Sequence, residues 1–505
     1  MVSRTVKKLI FGVLMGNLCC CASAKDDGSD KNKLGVDLAT SFKEYLEAGI
    51  QDKESSIFRS QFLMDLSPKS NRCQKRENPL LGEEAFNEKE NESAAIGSES
   101  EDQKILCVDL GGTSLKMGIY EVNKKNRKTV KITEEIRKYD IPKESKAIQN
   151  RTIYEFMSEK INSFVSENRA TGKAGGKVMK GALTFSYPIE NVGDKVKVVK
   201  FTKQFKWAKI NSVGDEIPLD ELNKLTADTV QFEVIVNDTT ALGAWACSTY
   251  PDAVGGFVLG TGLNCSYLET KQEKSSRGAL QSTKSILNTE CGASFEFGNI
   301  GKYMDEVDRE MAKNILEKEN AKFCLEHMVG GLYFEQYINI YLRKEIERIF
   351  EKESVKELDL KGFTLSNSRL SREKIKDDIE KLFETYLQKN SDNAGKVDEL
   401  VETVNNAVRK AFERKYMISA GLMAGIISKC ERDDASNNGV YRFGLTGSGC
   451  QTEEFKEKVG KKIMYILSKM PSRKGFEKVR VLFEFSEEAS LIGGASAFIS
   501  KRTHL

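Results

Sequence analysis

The sequence predicts an α/β protein whose two related halves close on one ligand. From Ile105 onward, short apolar runs alternate with longer stretches of helical periodicity, as in α/β or α+β architectures. Two segments, ILCVDLGGTSLKMGIYEV and VGGFVLGTGLNCSYLET, share the order of apolar run, Gly/Thr turn and apolar run. Each segment is typical of a β-hairpin, and the pair suggests an internal duplication. Two unrelated hairpins would give the same pattern.

The amino-acid composition excludes several classes of catalytic site and partner. The 505 residues are 39% hydrophobic and 30% charged, which is typical of a soluble globular chain. The formal charge of +3 gives no electrostatic reason to expect nucleic acid as a partner. Only two histidines occur, His327 and His504, so a Ser-His-Asp triad, a multi-histidine zinc site and an HExxH protease are all disfavoured. Catalysis must therefore use carboxylates, hydroxyls, lysines, backbone amides or a bound cofactor.

The first 24 residues have the pattern of a cleavable signal peptide. Arg4 and Lys7 give a basic start, residues 9–18 are mostly apolar, and Ala22-Ser23-Ala24 is a small-x-small cleavage site. An uncleaved anchor or a mitochondrial presequence are the alternatives. No later apolar run is long enough for stable membrane insertion, so we expect a secreted protein.

Residues 25–102 are predicted to hold one helix and an acidic linker. Leu34–Ile50 has helical spacing, and Glu83–Asp102 is rich in Glu, Asn and Ser. Long helices are predicted at about 303–350 and 371–430. The eight cysteines that remain after the signal are scattered without a CxxC pair, which favours buried thiols over a disulfide framework.

Two glycine turns are candidates for phosphate binding. Their glycines let backbone N–H groups approach a phosphate closely, and their hydroxyls add donors. Asp109 precedes the first turn and is placed to hold a Mg²⁺-bound water. Neither turn is a P-loop or a GxGxxG motif, and either would also suit a plain hairpin. The candidate residues are Asp109, Gly111, Gly112, Thr113, Ser114, Lys116, Gly260, Thr261 and Gly262.

Seven short motifs together resemble one known family. In chain order they are DLGGTS (109–114), LTFSYP (183–188), FTK (201–203), VNDTT (236–240), GTGLNCSYLE (260–269), NTECG (288–292) and EHMVGGLY (326–333). This collinear series is similar to the hexokinases and covers the chain from Ile105 to its end. With the signal peptide, the whole chain resembles the secreted hexokinases of intracellular parasites of the microsporidian type.

The resemblance implies a two-lobed fold of the actin-like ATPase and sugar kinase class, with duplicated ribonuclease-H-like domains and a cleft between them. It implies a small lobe at 103–238, completed by a C-terminal helix at 488–505, and a large lobe at 239–487. The helix and linker at 25–102 would pack partly on the large lobe. The implied reaction transfers phosphate from ATP, with Mg²⁺, to the 6-hydroxyl of a hexose such as D-glucose.

Individual roles follow from the same resemblance. Asp238 matches the catalytic base, and Gly447 with Ser448 matches the adenosine turn. A carboxylate after the apolar run 234–236 also suits a reactive group at a strand end. The positions that match sugar contacts are Ser186, Tyr187, Thr202, Lys203, Asn237, Asn264, Glu290 and Glu326. Carboxylates, amides and hydroxyls together suit a polyol, whose hydroxyls both donate and accept.

Simpler roles remain open for three of these residues, and for the neighbouring histidine a structural role is preferred. Asp238 precedes a predicted helix and would suit its N-cap. Glu326 lies beside an apolar helical stripe and would suit a solvated flank. Tyr187 would suit the core, and His327 is interpreted as structural or exposed rather than catalytic.

The nucleotide end departs from the family pattern. Thr446 stands where an acid precedes the glycine, Ala489 and Leu491 stand where glycines are usual, and Ile492 replaces a lysine. These changes favour an alternative function, a hexose-binding sensor or interaction protein on the same fold. An actin-like ATPase or chaperone would share the phosphate turns, but LTFSYP and FTK favour a sugar enzyme.

Overall fold

The structure, a computed structural model of the chain, leaves several predicted features outside its described residues: the signal peptide, the acidic segment at 83–101, Tyr187, Thr202 and Lys203. It describes residues 28–51, 102–123, 128–141, 152–174, 178–186, 189–192, 195–198, 219–274, 280–293, 301–319, 323–350, 377–381, 383–384, 394–430, 439–470 and 479–502.

Two mixed β-sheets with the same strand order form the framework. The first contains β1 (Asp102–Leu110), β2 (Ser114–Asn123), β3 (Lys128–Lys131), β4 (Arg137–Asp140), β5 (Met179–Phe185) and β8 (Val230–Asn237). The second contains β9 (Ala253–Leu259), β10 (Leu263–Lys274), β11 (Leu280–Asn288), β12 (Val440–Thr446) and β13 (Arg480–Phe485). A separate ribbon is formed by β6 (Ile189–Val192) and β7 (Lys195–Val198).

The order is β3-β2-β1-β5-β8 in the first sheet, where β4 also pairs with β2, and β11-β10-β9-β12-β13 in the second. Each sheet thus begins with an antiparallel meander of three strands and adds two parallel strands on the other side of its first strand. The predicted duplication and the two-lobed α/β fold are therefore confirmed.

Helices cover the faces of both sheets. They are α1 (Gly28–Gln51), α2 (Ile153–Ala170), α3 (Leu219–Leu225), α4 (Asp238–Thr249), α5 (Glu306–Glu319), α6 (Leu325–Val329), α7 (Gly331–Ile349), α8 (Ala394–Cys430), α9 (Glu453–Lys469) and α10 (Ala489–Arg502). The start of α2 shows how sequence fixes an element, because Thr152 and Glu155 form a reciprocal capping box. No helix in this part of the chain is long and apolar enough to cross a membrane.

The apolar run of β1 is continuous because both faces of the strand are buried. Leu106 and Val108 pack in the cluster that contains α2, whereas Ile105 and Cys107 pack in the cluster that contains α10. Side chains alternate along a strand, so Asp109 lies on the same face as Cys107. That alternation carries the Asp109 carboxylate to the start of α10, at the edge of the cleft.

Two helices connect the lobes by crossing over. Helix α4 follows the last strand of the first sheet but packs on β9, β10 and β12 of the second. Helix α10 follows the last strand of the second sheet and packs on β1, β5 and β8 of the first. The two helices cross closely, since a side chain at Gly493 would lie 1.8 Å from the carbonyl oxygen of Ala241. This packing is compatible with the predicted lobe boundaries, which stay a prediction.

Helix α1 belongs to the core of the second lobe. Leu38, Phe42 and Leu46 are fully buried against α8 and α9. The small residues of α8 serve this contact, because a side chain at Gly421 would lie 3.0 Å from Leu38. Helix α1 is therefore part of this core, and the small residues of α8 face it.

Candidate active site

The predicted site residues of the described chain surround one cleft of about 350 Å³ between the two sheets. The cleft lies at the carboxyl ends of the parallel strands of both sheets, where open α/β folds bind ligands. Gly260 does not line it but closes the second glycine turn. The predicted residues that do line it are Asp109, Gly111, Gly112, Thr113, Ser114, Lys116, Ser186, Asn237, Asp238, Thr261, Gly262, Asn264, Glu290, Glu326, Gly447 and Ser448.

Asp238 is the first residue of α4, directly after β8. The N-cap role that the sequence left open for Asp238 belongs to Asn237, whose Oδ1 accepts the N–H groups of Thr239 at 2.9 Å and Thr240 at 3.4 Å. The Asp238 carboxylate accepts a hydrogen bond from the Thr239 hydroxyl at 3.2 Å and lines the cleft. A carboxylate is therefore presented at the partially positive end of a helix.

A polar cluster joins β10 to the turn after β11. Asn264 Nδ2 donates to Asn288 Oδ1 at 3.0 Å and to Glu290 Oε1 at 3.2 Å. Asn288 Nδ2 donates to the same Glu290 oxygen at 2.6 Å, and Asn288 is 1% exposed. Glu290 has φ +48°, a left-handed conformation that side chains rarely adopt. Such strain is retained where the surrounding contacts require it, which is common at ligand sites.

Glu326 points into the cleft rather than along a solvated flank. It lies on the short helix α6, and its Oε2 accepts the backbone N–H of Leu263 at 2.9 Å. The glycine at 262 makes this approach possible, because a Cβ there would lie 2.1 Å from Glu326 Oε2. His327, the next residue, is buried, and its Nδ1 accepts the N–H of Cys324 at 2.8 Å. The interpretation of His327 as structural therefore fits its surroundings.

The two glycine turns occupy equivalent places in the two sheets. The first follows β1 and is closed by a 2.9 Å hydrogen bond from Gly111 N–H to Ser114 O. The second follows β9 and is closed by a 3.0 Å bond from Gly260 N–H to Gly262 O. Both turns border the same cleft, as expected for a duplicated fold with one ligand site.

The start of α10 meets the first turn. Ser490 Oγ donates to Asp109 Oδ2 at 2.7 Å, and Lys116 Nζ donates to the carbonyl oxygen of Glu487 at 3.3 Å. Ser490 and Glu487 both line the cleft. The C-terminal stretch that departs from the family pattern is therefore a wall of the site.

The turn after β12 forms the remaining wall. Gly447 has φ +101°, and a Cβ there would lie 2.4 Å from the carbonyl oxygen of Leu259. Gly449 N–H donates to the same oxygen at 2.8 Å. Lys415 of α8 lies behind this turn, since its Nζ would be 3.2 Å from a Cβ at Gly449. Burial lowers the pKa of Lys415 to about 8.

Asn288, Ser490 and Lys415 were not predicted as site residues. Asn288 could have been found from the sequence, because it begins the NTECG motif. Its bridging role, however, depends on the conformation of a turn that the sequence does not reveal. Ser490 lies 381 positions from its partner Asp109. Lys415 lies on a long helix whose apolar periodicity gives no reason to single it out.

Comparison with known proteins identifies relatives of both lobes. Two family models, each described as hexokinase, match residues 92–247 and 254–500. A hexokinase of Schistosoma mansoni is 26% identical over 357 residues, covering 68% of this chain and 76% of that protein. Hexokinase-1 of Mus musculus is 26% identical over 284 residues, covering 54% of this chain but only 28% of that protein.

Two solved structures share the fold. The hexokinase from Schistosoma mansoni complexed with glucose aligns with a TM-score of 0.58 and 19% identity, covering 94% of this chain and 100% of that one. Another hexokinase crystal structure aligns with a TM-score of 0.59 and 15% identity, covering 93% and 96%. At these identities the structural likeness bears on the fold alone.

Proposed function

This chain belongs to the hexokinase family, and from that premise we propose that it transfers the γ-phosphoryl group of ATP to the 6-hydroxyl of a hexose. The observation that carries the proposal is the convergence of Asp238 with the Asn264–Glu290 pair and Glu326 on one cleft. D-Glucose is the proposed hexose, because the Schistosoma mansoni relative of the same fold was solved as its glucose complex.

The second lobe supplies three of the proposed sugar contacts, Asn264, Glu290 and Glu326. Glu290 and Glu326 offer carboxylate oxygens, and the Asn264 amide offers both a donor and an acceptor. Each sugar hydroxyl needs a donor and an acceptor, so a wall of amides and carboxylates suits a neutral polyol better than an anion. Ser186, at the end of β5, adds a hydroxyl from the first lobe. The proposed set is completed by Asn237, Tyr187, Thr202 and Lys203.

Asp238 is proposed to act as the base. Its carboxylate accepts the proton of the 6-hydroxyl while that oxygen forms a bond to the γ-phosphorus and the bond to the β-γ bridging oxygen breaks. Phosphoryl transfer has a loose transition state, so alignment and electrostatics contribute more than basicity. Closure of the lobes would exclude water, which would otherwise attack the γ-phosphate of ATP in place of the sugar hydroxyl.

The phosphate side of the cleft fits Mg²⁺-ATP. Backbone N–H groups of the two glycine turns and the hydroxyls of Thr113, Ser114 and Ser448 suit phosphate oxygens. In the described residues, no group of three acidic, His or Cys side chains forms a metal cage. Asp109 would hold a water bound to Mg²⁺, and the metal itself would be held mainly by the nucleotide phosphates. Mg²⁺ bound there would neutralise charge on the transferred group.

The test is a coupled assay of residues 25–505 with Mg²⁺, ATP and a panel of hexoses. We expect hexose 6-phosphate from glucose, and a fall in kcat of roughly 10²–10⁴-fold in Asp238→Ala with glucose binding retained. Asp220→Ala is the matched control, because Asp220 is an exposed aspartate in the first turn of α3. Normal glucose turnover by Asp238→Ala would refute the assigned mechanism.

A hexose sensor is the second candidate, favoured by the departures at the nucleotide end. Leu491 is fully buried between α10 and the first sheet, where the family pattern has glycine. Titration of ATP with and without glucose separates the candidates. Binding of ATP that tightens in the presence of glucose supports the kinase, whereas absence of ATP binding in both conditions supports the sensor.

We also propose that the protein is secreted, on the pattern of its first 24 residues. Asn237-Asp238-Thr239 and Asn264-Cys265-Ser266 are glycosylation sequons at the cleft. Both amides are engaged, Asn237 in capping α4 and Asn264 with Glu290, so we propose that neither is modified in active protein. Intact-mass measurement of natively secreted protein tests this, and a glycan on Asn264 with full activity would overturn the site assignment.

A further inference from the structure

Two thiols lie side by side directly behind the proposed sugar contacts. Cys265 Sγ and Cys291 Sγ are 3.3 Å apart, and both residues are fully buried. Cys265 follows Asn264 on β10, and Cys291 follows Glu290 in the turn after β11. The thiol pair therefore joins the same two backbone segments that the Asn264–Glu290 hydrogen bond joins on the cleft side.

The two segments are already held in register at this point. Thr289 N–H donates to the carbonyl oxygen of Cys265 at 3.0 Å, and the Thr289 hydroxyl donates to the same oxygen at 2.7 Å. A disulfide has its sulfurs about 2.05 Å apart. The sulfurs, now 3.3 Å apart, must therefore approach by little more than an ångström to form the bond.

We propose that Cys265 and Cys291 form a disulfide that fixes the Asn264–Glu290 wall of the cleft. The sequence alone favoured buried thiols over a disulfide framework, because the cysteines are scattered without a CxxC pair. Formation of the bond is independent of the reaction catalysed, whereas its effect on sugar binding rests on the proposed function. A secreted protein meets the oxidising conditions in which such bonds form.

The oxidant is a low-molecular-weight disulfide such as glutathione disulfide. The thiolate of one cysteine attacks a sulfur of that disulfide and displaces one small thiolate, which gives a mixed disulfide. The second cysteine thiolate attacks the protein sulfur of the mixed disulfide and displaces the other small thiolate. Two protein thiols are oxidised to one disulfide, the small disulfide is reduced to two thiols, and the protons of the cysteines pass to those thiols.

Burial controls when this exchange occurs. Because the thiolate is the nucleophile, a buried thiol whose pKa is raised reacts slowly, and burial raises the pKa of Cys291 well above its usual value. The bond would therefore form during folding or when the turn at 289–293 opens. Once closed, it would resist reduction for the same reason.

The bond should favour sugar binding without changing the chemical step. Cross-linking Cys265 to Cys291 restricts the turn that carries Glu290, so less conformational freedom is lost when a hexose binds. Asp238 lies on α4, outside the cross-linked segments. We expect the reduced protein to have a KM for glucose roughly two- to tenfold higher at an unchanged kcat, as for the ordering of one or two side chains.

The experiment equilibrates the full chain with glutathione buffers of increasing oxidised fraction, then alkylates free thiols after denaturation and maps peptides by mass spectrometry. We expect a cross-linked 265–291 peptide pair, a higher thermal midpoint and the KM change. Cys265→Ala and Cys291→Ala should remove all three responses. Cys107→Ala is the matched control, because Cys107 is buried but faces Gly118 and Ala182 on the neighbouring strands.

The outcomes separate the two proposals. Recovery of Cys265 and Cys291 as alkylated peptides under the most oxidising buffer overturns the disulfide, even if glucose is phosphorylated. Scrambled pairing with other cysteines overturns it as well. A cross-linked 265–291 pair in a protein that does not phosphorylate any hexose retains the disulfide and refutes the proposed function. Because the peptide map is made on the unsubstituted chain, the test holds even if a variant fails to fold.

Discussion

The two walls of the cleft are built in different ways. The proposed sugar wall is made of side chains that bond to one another, with Asn288 donating to Glu290 and accepting from Asn264. The proposed nucleotide wall is made of backbone, since the turn at Gly447 packs its main chain against Leu259 and offers few side chains.

From this difference we expect the two walls to respond differently to sequence change. A wall of paired side chains tolerates few substitutions, because removing one partner leaves the others buried without hydrogen bonds. A wall of backbone accepts many side chains as long as the main-chain conformation is kept. The departures at Thr446 and Ile492 are therefore compatible with a folded nucleotide wall, and we expect sugar binding to depend on more residues than nucleotide binding does.

The largest expected effect on the sugar wall is that of Asn288→Ala. It removes the hydrogen bonds that Asn288 makes with Asn264 and Glu290, and with them a contact that holds Glu290 at positive φ. The cost of about 1–3 kcal/mol predicts a rise of roughly 10- to 100-fold in KM for glucose. Steady-state kinetics with glucose varied at saturating ATP measures it.

A positioning role requires that kcat and the KM for ATP change much less than the KM for glucose. Asn405→Ala is the control, because Asn405 also donates a side-chain hydrogen bond, to Val401 O within α8, but does not line the cleft. Equal losses in all three kinetic constants would indicate general misfolding and contradict the assignment.

A smaller effect is expected from Gly447→Ala on the nucleotide wall. The added Cβ would meet Leu259 O at 2.4 Å, so the turn must move. We expect about a tenfold rise in KM for ATP, with the KM for glucose unchanged, since strain at such positions costs about 1–3 kcal/mol. Gly172→Ala is matched, because Gly172 has φ +72° and no atoms within 4 Å of its added Cβ. A change in the KM for glucose alone would contradict the assignment of this wall to the nucleotide.

The smallest effect on ligand binding is expected from Lys415→Met, which should instead change the stability of the fold in a way that depends on pH. Burial lowers the pKa of Lys415 to about 8 in the folded protein, against an ordinary value of 10.5. Between these two pKa values the unfolded chain therefore binds more protons than the folded protein does. Burial of the charged Lys415 lowers the free energy of unfolding by its full amount below about pH 8, and this destabilisation decreases as the pH rises above 8. The variant should be more stable at neutral pH, on the order of 1–3 kcal/mol, with the difference shrinking above pH 8.

Thermal unfolding of both proteins across this pH range measures the effect. Lys458→Met, at an exposed lysine of α9, should show no such dependence. A variant less stable than the parent at neutral pH would indicate that Lys415 makes a favourable contact behind the nucleotide turn.

Much of the fold was predictable from local pattern. The apolar run that begins at Ile105 predicted a strand, and the two Gly/Thr hairpins predicted the duplication that the strand order confirms. That both faces of this strand are buried is seen only in the structure. The N-cap of α4 was less predictable, because Asn237 and Asp238 are both good caps and only the backbone conformation at Asn237 distinguishes them.

The sequence by itself determined the chemical character of this protein: two histidines, an aspartate after a buried strand, and glycine turns in both halves. Only the tertiary structure decided which distant residues meet, such as Ser490 with Asp109, Glu326 with the turn at Gly262, and Cys265 with Cys291. The physical reason is that strand and helix periodicities are local, whereas these contacts depend on how the sheets and their crossing helices pack.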